Sequence, residues 1–262
     1  MATLVRPQYV QARLSPGPIS GHGEDRAMVF RPRLGITGGP AVIYCHGALN
    51  DFTQVLENAA YEFVTRLCAI GVTVVAPDLG TGASGPGSLN SWGNSTVSAR
   101  IEAWRTWMVA NLPCDASTVT IMGFSMGGCS SLGYARDYAS KVEQVVNWEP
   151  AYDLVAMRAD RANPDGFGVF APLIDAAYGI TSTDPLPAGA DPYTNATLHN
   201  LKWRGYYHAD GPVFVPSDWV TRMATWTGGQ AIPTYGLTTH TTDTMLDAHT
   251  PFDELVSWLG FV

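Results

Sequence analysis

Positive charge is scarce in this chain. Lys and Arg number 15 against 23 Asp and Glu, a formal net charge of −8. No run of Lys or Arg interrupts that balance, so a nucleic-acid partner, which needs a basic patch against phosphate, is excluded. Long apolar runs are missing too, and none is long enough to span a bilayer. Met1-Ala2-Thr3-Leu4-Val5-Arg6-Pro7 lacks an apolar core segment, so no signal peptide is expected. The chain therefore reads as soluble and by default cytoplasmic, with virion-associated or exported placements left open. Cysteine is limited to Cys45, Cys68, Cys114 and Cys129, with no C-x-x-C pair. Zinc and thioredoxin-type readings fail on that spacing, and buried free thiols are expected.

What is present describes an ordinary globular chain: 262 residues, 46% hydrophobic and 15% charged. That length buries a sizeable core without disulfide or metal staples. From residue 40 onward strand and helix patterns alternate, which predicts a parallel sheet covered on both faces. The predicted strands are 41–45, 72–76, 117–122, 142–148, 206–208 and 231–237. The predicted helices are 54–69, 96–112, 126–138, 216–226 and 253–259, several with a clear apolar face. Residues 80–93 are rich in Gly, Ser and Pro and read as a loop. The first forty residues are expected to supply antiparallel strands, with 27–31 the best candidate.

Residues 151–200 break this rhythm. They are rich in Pro, Gly, Ala, Asp and Asn, and only 173–178 has a helical pattern. A stretch this long is more than a connection in a compact domain. The expected organisation is a core domain formed by 1–150 and 201–262, with 151–200 inserted as a cap or lid.

The sequence that carries most chemistry is Gly123-Phe124-Ser125-Met126-Gly127, a G-x-S-x-G pattern. Alone it describes any glycine-rich turn. Here an apolar strand precedes it and a helix follows, the context in which a serine sits on a tight strand-to-helix turn with its Oγ exposed. The helix N-terminus then offers backbone N–H groups and a positive dipole end to a developing oxyanion. A serine nucleophile further needs a base and an orienting acid. Asp210 follows the strand 206–208 directly, and His240 follows the strand ending at Leu237.

These segments resemble the α/β-hydrolase superfamily from residue 40 to the end of the chain, apart from 151–200. His46-Gly47-Ala48 is similar to its oxyanion loop. Gly71 to Asp78 resembles its next strand and turn, and Gly123 to Gly128 its nucleophile elbow. His208-Ala209-Asp210-Gly211-Pro212-Val213-Phe214-Val215-Pro216 resembles its acid loop. Thr239-His240 resembles its histidine loop, with Thr239 where a glycine is often found. The resemblance implies an α/β fold with a mostly parallel central sheet and helices on both faces. It implies a Ser125, Asp210, His240 triad, with the N–H groups of Ala48 and Met126 as oxyanion donors. No metal and no organic cofactor is required.

Rivals remain for two of the three. Asp218 competes with Asp210 but also reads as a helix N-cap beside Ser217; Asp153 and Asp184 follow the strand 142–148 more loosely. His249 competes with His240 and reads as part of the approach to the last helix. His46 is expected to shape the oxyanion loop, His22 and His199 to lie at the surface, and Asp78 to tie down its own loop by accepting backbone N–H bonds. Leu49, Asn50 and Phe52 are candidate acyl contacts. Trp148 reads either as a substrate-pocket wall or as a core aromatic; polyester hydrolases of this superfamily have a tryptophan in the matching place.

The function this implies is hydrolysis of a carboxylic ester, lipid or small-molecule, through an acyl-enzyme. The same triad serves thioesterases, acyltransferases, peptidases and C–C bond hydrolases. The layout also resembles phage-encoded esterases that attack bacterial envelope lipids. A non-catalytic binding protein on this scaffold is the third class. A haloalkane dehalogenase is disfavoured, because that family needs an aspartate where Ser125 stands.

Overall fold

The computed structural model describes residues 8–14, 25–32, 37–48, 51–79, 92–163, 167–195, 198, 200–208, 229–234 and 251–261. Among these residues eight strands form one sheet: β1 Gln8–Leu14, β2 Asp25–Arg31, β3 Gly39–Cys45, β4 Thr73–Pro77, β5 Cys114–Phe124, β6 Val142–Trp148, β7 Trp203–His208 and β8 Gly229–Thr234. Their order is β1-β2-β4-β3-β5-β6-β7-β8. The β1–β2 and β2–β4 pairs are antiparallel, and every later pair is parallel. The opening antiparallel strands and the parallel run that the sequence predicts are both present. The predicted helix at 216–226, the loop at 80–91 and the strand end at 235–237 lie outside the described residues.

Six helices accompany the sheet among the described residues: α1 Asn58–Ala69, α2 Ser95–Asn111, α3 Met126–Asp137, α4 Leu154–Ala159, α5 Ala171–Tyr178 and α6 Phe252–Leu259. Strand side chains alternate between two faces, and the parallel strands are apolar on both. Val42 and Tyr44 of β3 join Val74, Met122, Val146 and Trp148 in a core closed by α1 and α6. Ala41, Ile43 and Cys45 join Val75, Ile121 and Val145 in a second core closed by α2 and α3. On α2, Val97, Ile101, Trp104 and Met108 are fully buried, and Trp107 is partly buried against the same core. All four cysteines are free thiols; Cys45, Cys68 and Cys129 are buried and Cys114 is half-buried. No helix among the described residues is long and apolar enough to cross a membrane.

Two local predictions need correction. The helix predicted from residue 54 starts only at Asn58 and is preceded by a separate 3-10 turn, Phe52–Leu56. The Asp51 carboxylate accepts from both the N–H and the hydroxyl of Thr53, at 2.7 and 2.6 Å, which starts that turn early. Glu57 is then extended, with ψ 147°, and separates turn from helix. In the second case, the stretch after β6 holds a helix the periodicity does not show. Asp153 caps α4 by accepting the Ala156 N–H at 2.7 Å.

The segment after β6 is tied together by charge and tied down by buried polar groups. Asp175 of α5 pairs with Arg158 at 2.6 Å and also with Arg161. Leu154 donates its N–H to Asp191 Oδ1 at 3.0 Å, and Tyr178 OH donates to Trp92 O at 2.7 Å. Asp191 is only 3% exposed. Burial pushes its carboxyl up to about 7, with Asp153 adding to the rise. A carboxyl raised on folding binds its proton more tightly in the native state, so its contribution to stability falls as pH climbs from about 4 to about 7. Asp191→Asn keeps a carbonyl for Leu154 N–H and removes the buried charge. We expect it to raise Tm at pH 8 by about 5 °C and to leave Tm at pH 4 almost unchanged; equal shifts at the two pH values would refute the assignment.

Candidate active site

Parallel register brings the strand ends to one edge of the sheet. Cys45 of β3 pairs with Gly123 of β5, Phe124 of β5 with Trp148 of β6, and Trp148 with Tyr206 of β7. The next residues on these strands, His46, Ser125 and Glu149, therefore emerge side by side. β7 ends at His208 and β8 at Thr234, at the same edge. Asp210 and His240 follow those ends in the chain. They lie outside the described residues, as do Asp218, His249, Leu49, Asn50, His22 and His199.

Ser125 has φ 53° and ψ −118°, a conformation L-residues rarely adopt. Hydrogen bonds hold it there: its N–H donates to Trp148 O, and its carbonyl accepts from Gly128 N–H and Ala151 N–H, each at 2.9 Å. Its side chain makes no capping bond to α3, the helix it precedes. The backbone thus maintains the turn while Oγ stays out of that work. The glycines are required by contact. A Cβ on Gly123 would lie 2.3 Å from Gly127 O, and one on Gly128 would lie 2.3 Å from Pro150 Cβ. A Cβ on Gly127 would lie 2.1 Å from Cys45 O. The first turn of α3 thus presses directly on the end of β3.

A buried polar chain fixes that turn from behind. Trp203 Nε1 donates to Asn147 Oδ1 at 2.8 Å, and Asn147 Nδ2 donates to Ser131 Oγ at 2.8 Å. Ser131 Oγ in turn donates to Gly128 O at 2.7 Å. Met126 occupies the first position of α3, where a backbone N–H has no acceptor within the helix. Its side chain packs with Cys129, Leu154, Met157 and Ile174, and half-buried Ala48 packs against the same cluster. The residues predicted as oxyanion donors thus share one neighbourhood, beneath α4 and α5.

The loop after β3 is held by two buried side chains. Gly47 N–H donates to Gln54 Oε1 at 2.8 Å, and His46 Nδ1 lies 2.8 Å from Gly47 O. Burial lowers the pKa of His46, and the bond to Gly47 O and the nearby Asp51 only partly oppose it. Phe52 is a core residue, 5% exposed. Trp148 has no exposed surface; it stacks on Tyr206 at 6.1 Å and meets Phe63 edge-on at 5.5 Å. Its side chain sits where the core-aromatic alternative puts it, and its backbone carbonyl holds the serine turn.

The acid rivals inside the described region have other partners. Asp153 caps α4, and Asp184 accepts from the N–H and hydroxyl of Thr181 at 2.8 and 2.7 Å. Asp78 pairs with Arg26 at 3.2 Å, and the loop N–H groups expected to bind it lie outside the described residues. Burial pushes the Asp78 carboxyl up to about 6 against the pull of Arg26. Two residues that sequence reasoning passed over matter here. Gln54 is a polar side chain, 4% exposed, just after the Asp51 cap; a glutamine in the middle of an apolar turn was the available signal. Glu149 is 1% exposed and has φ 44°. With Ser125 it is one of two non-glycine residues at positive φ among the described residues, and the two flank the same strand ends. Such strain clusters at functional sites. No signal in the sequence marks it.

The sequence matches no protein-family model, and no curated protein matches it significantly. Solved structures do match in fold. An S-formylglutathione hydrolase from Agrobacterium tumefaciens aligns with a TM-score of 0.68 at 15% identity, over 97% of this chain and 95% of its own. Carboxyl esterase 2 from the fungus Tuber melanosporum aligns with a TM-score of 0.65 at 18% identity, over 98% of this chain and 86% of its own. A longer chain from Bacteroides ovatus aligns with a TM-score of 0.71 at 12% identity over 97% of this chain, which spans only 36% of it. Strand order, the serine turn and these alignments agree: the chain has the α/β-hydrolase fold.

Proposed function

We propose that this chain is a serine hydrolase that cleaves carboxylic esters through an acyl-enzyme. The observation that carries the reading is Ser125, a serine held at φ 53° by three backbone hydrogen bonds, between the end of β5 and the N-terminus of α3. The alignment with structures described as esterases and hydrolases supports the same class. Ser125 Oγ attacks the ester carbonyl. His240 takes the serine proton and returns it to the leaving alkoxide. Asp210 orients the imidazole and stabilises its cation. The N–H groups of Ala48 and Met126 receive the oxyanion. Water, activated by the same histidine, then releases the acid.

The segment 151–200 acts as the cap in this reading. Its helices α4 and α5 pack over Met126 and against Ala48, where an acyl chain would leave the serine. Substrate length is then set by this segment, and a lipid or small-molecule ester is the expected class.

The test is hydrolysis of a p-nitrophenyl ester ladder from acetyl to palmitoyl by the wild type, His240→Ala and His249→Ala. We expect His240→Ala to lose at least 10⁴-fold in kcat, about the scale of losing a triad member, and His249→Ala to stay within tenfold of wild type. The reverse pattern would move the base to His249. No turnover on any rung by folded wild type would remove ester hydrolysis itself.

A further inference from the structure

Gly47 is held at both polar atoms of its backbone. Its N–H donates to Gln54 Oε1 at 2.8 Å, and its carbonyl lies 2.8 Å from His46 Nδ1. A carbonyl only accepts, so Nδ1 carries the proton. Both clamping side chains are buried, Gln54 to 4% and His46 to 2% exposure. Gln54 is itself fixed within its 3-10 turn: its N–H donates to Asp51 O at 3.1 Å and its carbonyl accepts from Glu57 N–H at 3.0 Å.

Two consequences follow from peptide geometry. Gly47 N–H points at Gln54 and is not available to an oxyanion. The Gly47 carbonyl and the Ala48 N–H share one planar trans peptide unit and point in opposite directions. Holding Gly47 O against His46 therefore aims Ala48 N–H away from the His46 ring. Ala48 packs with Met126 in one cluster, and a Cβ on Gly127 would lie 2.6 Å from His46 O, so the loop and the start of α3 are in contact.

We propose that Gln54 is a positioning residue of the ester-cleaving site: it occupies Gly47 N–H and sets the loop so that Ala48 N–H alone, of these two, faces the developing oxyanion. This rests on the serine-hydrolase reading above. Gln54 touches neither substrate nor Ser125, and acts through the Gly47–Ala48 peptide. Its loss falls on the transition state and leaves ground-state binding in place.

The experiment compares wild type with Gln54→Met, Gln54→Asn and Gln54→Glu. Methionine matches the length but has no acceptor oxygen, asparagine keeps the amide one methylene short, and glutamate keeps an oxygen in reach. The readouts are kcat and KM on the best p-nitrophenyl ester, the affinity of a trifluoromethyl ketone whose serine adduct carries the oxyanion, and Tm. A fluorophosphonate label on Ser125 checks the underlying reading separately. We expect Gln54→Met and Gln54→Asn to lose about 10- to 100-fold in kcat with KM within twofold, against 10²–10³ for a donor removed outright. Ketone affinity should fall by the same factor, and Gln54→Glu should recover part of both. If Gln54→Met does not fold, Gln54→Asn decides on the same readouts. Wild-type ketone affinity and kcat in a folded Met or Asn variant would overturn the proposal, as would a loss confined to KM. Failure of wild type to label at Ser125 would instead sink the serine-hydrolase reading.

Discussion

Ser125→Ala is expected to lower ester turnover about a million-fold, the scale on which a hydrolase loses its nucleophile, and to leave Tm within a degree or two of wild type. The second half of that expectation comes from the structure. What holds the turn is the Ser125 backbone, through bonds to Trp148 O, Gly128 N–H and Ala151 N–H. Alanine keeps all three, and the lost hydroxyl makes no cap bond to α3. Ser125→Gly supplies the complementary measurement. It should be as inactive as alanine but more stable by about 1 kcal/mol, because glycine relieves the positive-φ strain. Purified Ser125→Ala with turnover within a thousandfold of wild type would remove Ser125 from the mechanism. A glycine variant less stable than the alanine one would remove the strain argument.

Gly127→Ala carries the second large effect, and here packing and activity fall together. The added methyl would stand 2.1 Å from Cys45 O and 2.6 Å from His46 O, both backbone atoms at the end of β3. Neither carbonyl belongs to a flexible side chain that could move aside. Either α3 shifts from β3 or the loop carrying Ala48 is displaced. We expect a stability loss of about 3 kcal/mol, the upper range for overpacking a core. A displacement near 1 Å also costs roughly a hundredfold in rate. Gly179→Ala is the control. Gly179 has φ +64° with nothing within 4 Å of its hypothetical Cβ, so it isolates the cost of conformation. That cost is about 1 kcal/mol or slightly more, with no effect on kcat. Wild-type kcat in Gly127→Ala would show that the contact between the serine turn and β3 does not position the reaction.

Much of the scaffold was legible in the sequence because its signals are local. Val42-Ile43-Tyr44-Cys45 is apolar on both faces, as a strand covered on two sides must be. Ser125 was legible for the same reason: strand, glycine turn and helix are contiguous. Gln54 and Glu149 were not. A hydrogen bond between residues 47 and 54 depends on where a 3-10 turn begins, which the Asp51 side chain decides. The positive φ of Glu149 arises where β6 leaves the sheet beside β5, a long-range arrangement with no sequence pattern of its own. The helix α4 was missed for want of length: six residues give too little periodicity, and only the Asp153 cap announced it. Asp153 and Asp184 instead serve as a helix cap and a turn acceptor, roles set by residues three positions away.

The thiols have a practical consequence. Burial pushes Cys68 up to about 12 and raises Cys45 and Cys129 as well, and half-buried Cys114 is also raised, chiefly by desolvation. Alkylation proceeds through the thiolate, so all four native cysteines are slow targets near neutral pH. The wild-type chain is therefore already a quiet background for thiol chemistry. A single cysteine placed on an exposed position of the segment after β6, such as Val169→Cys, would take a maleimide dye selectively, and the proposed role of that segment as a cap could be followed in solution with and without a serine-directed probe.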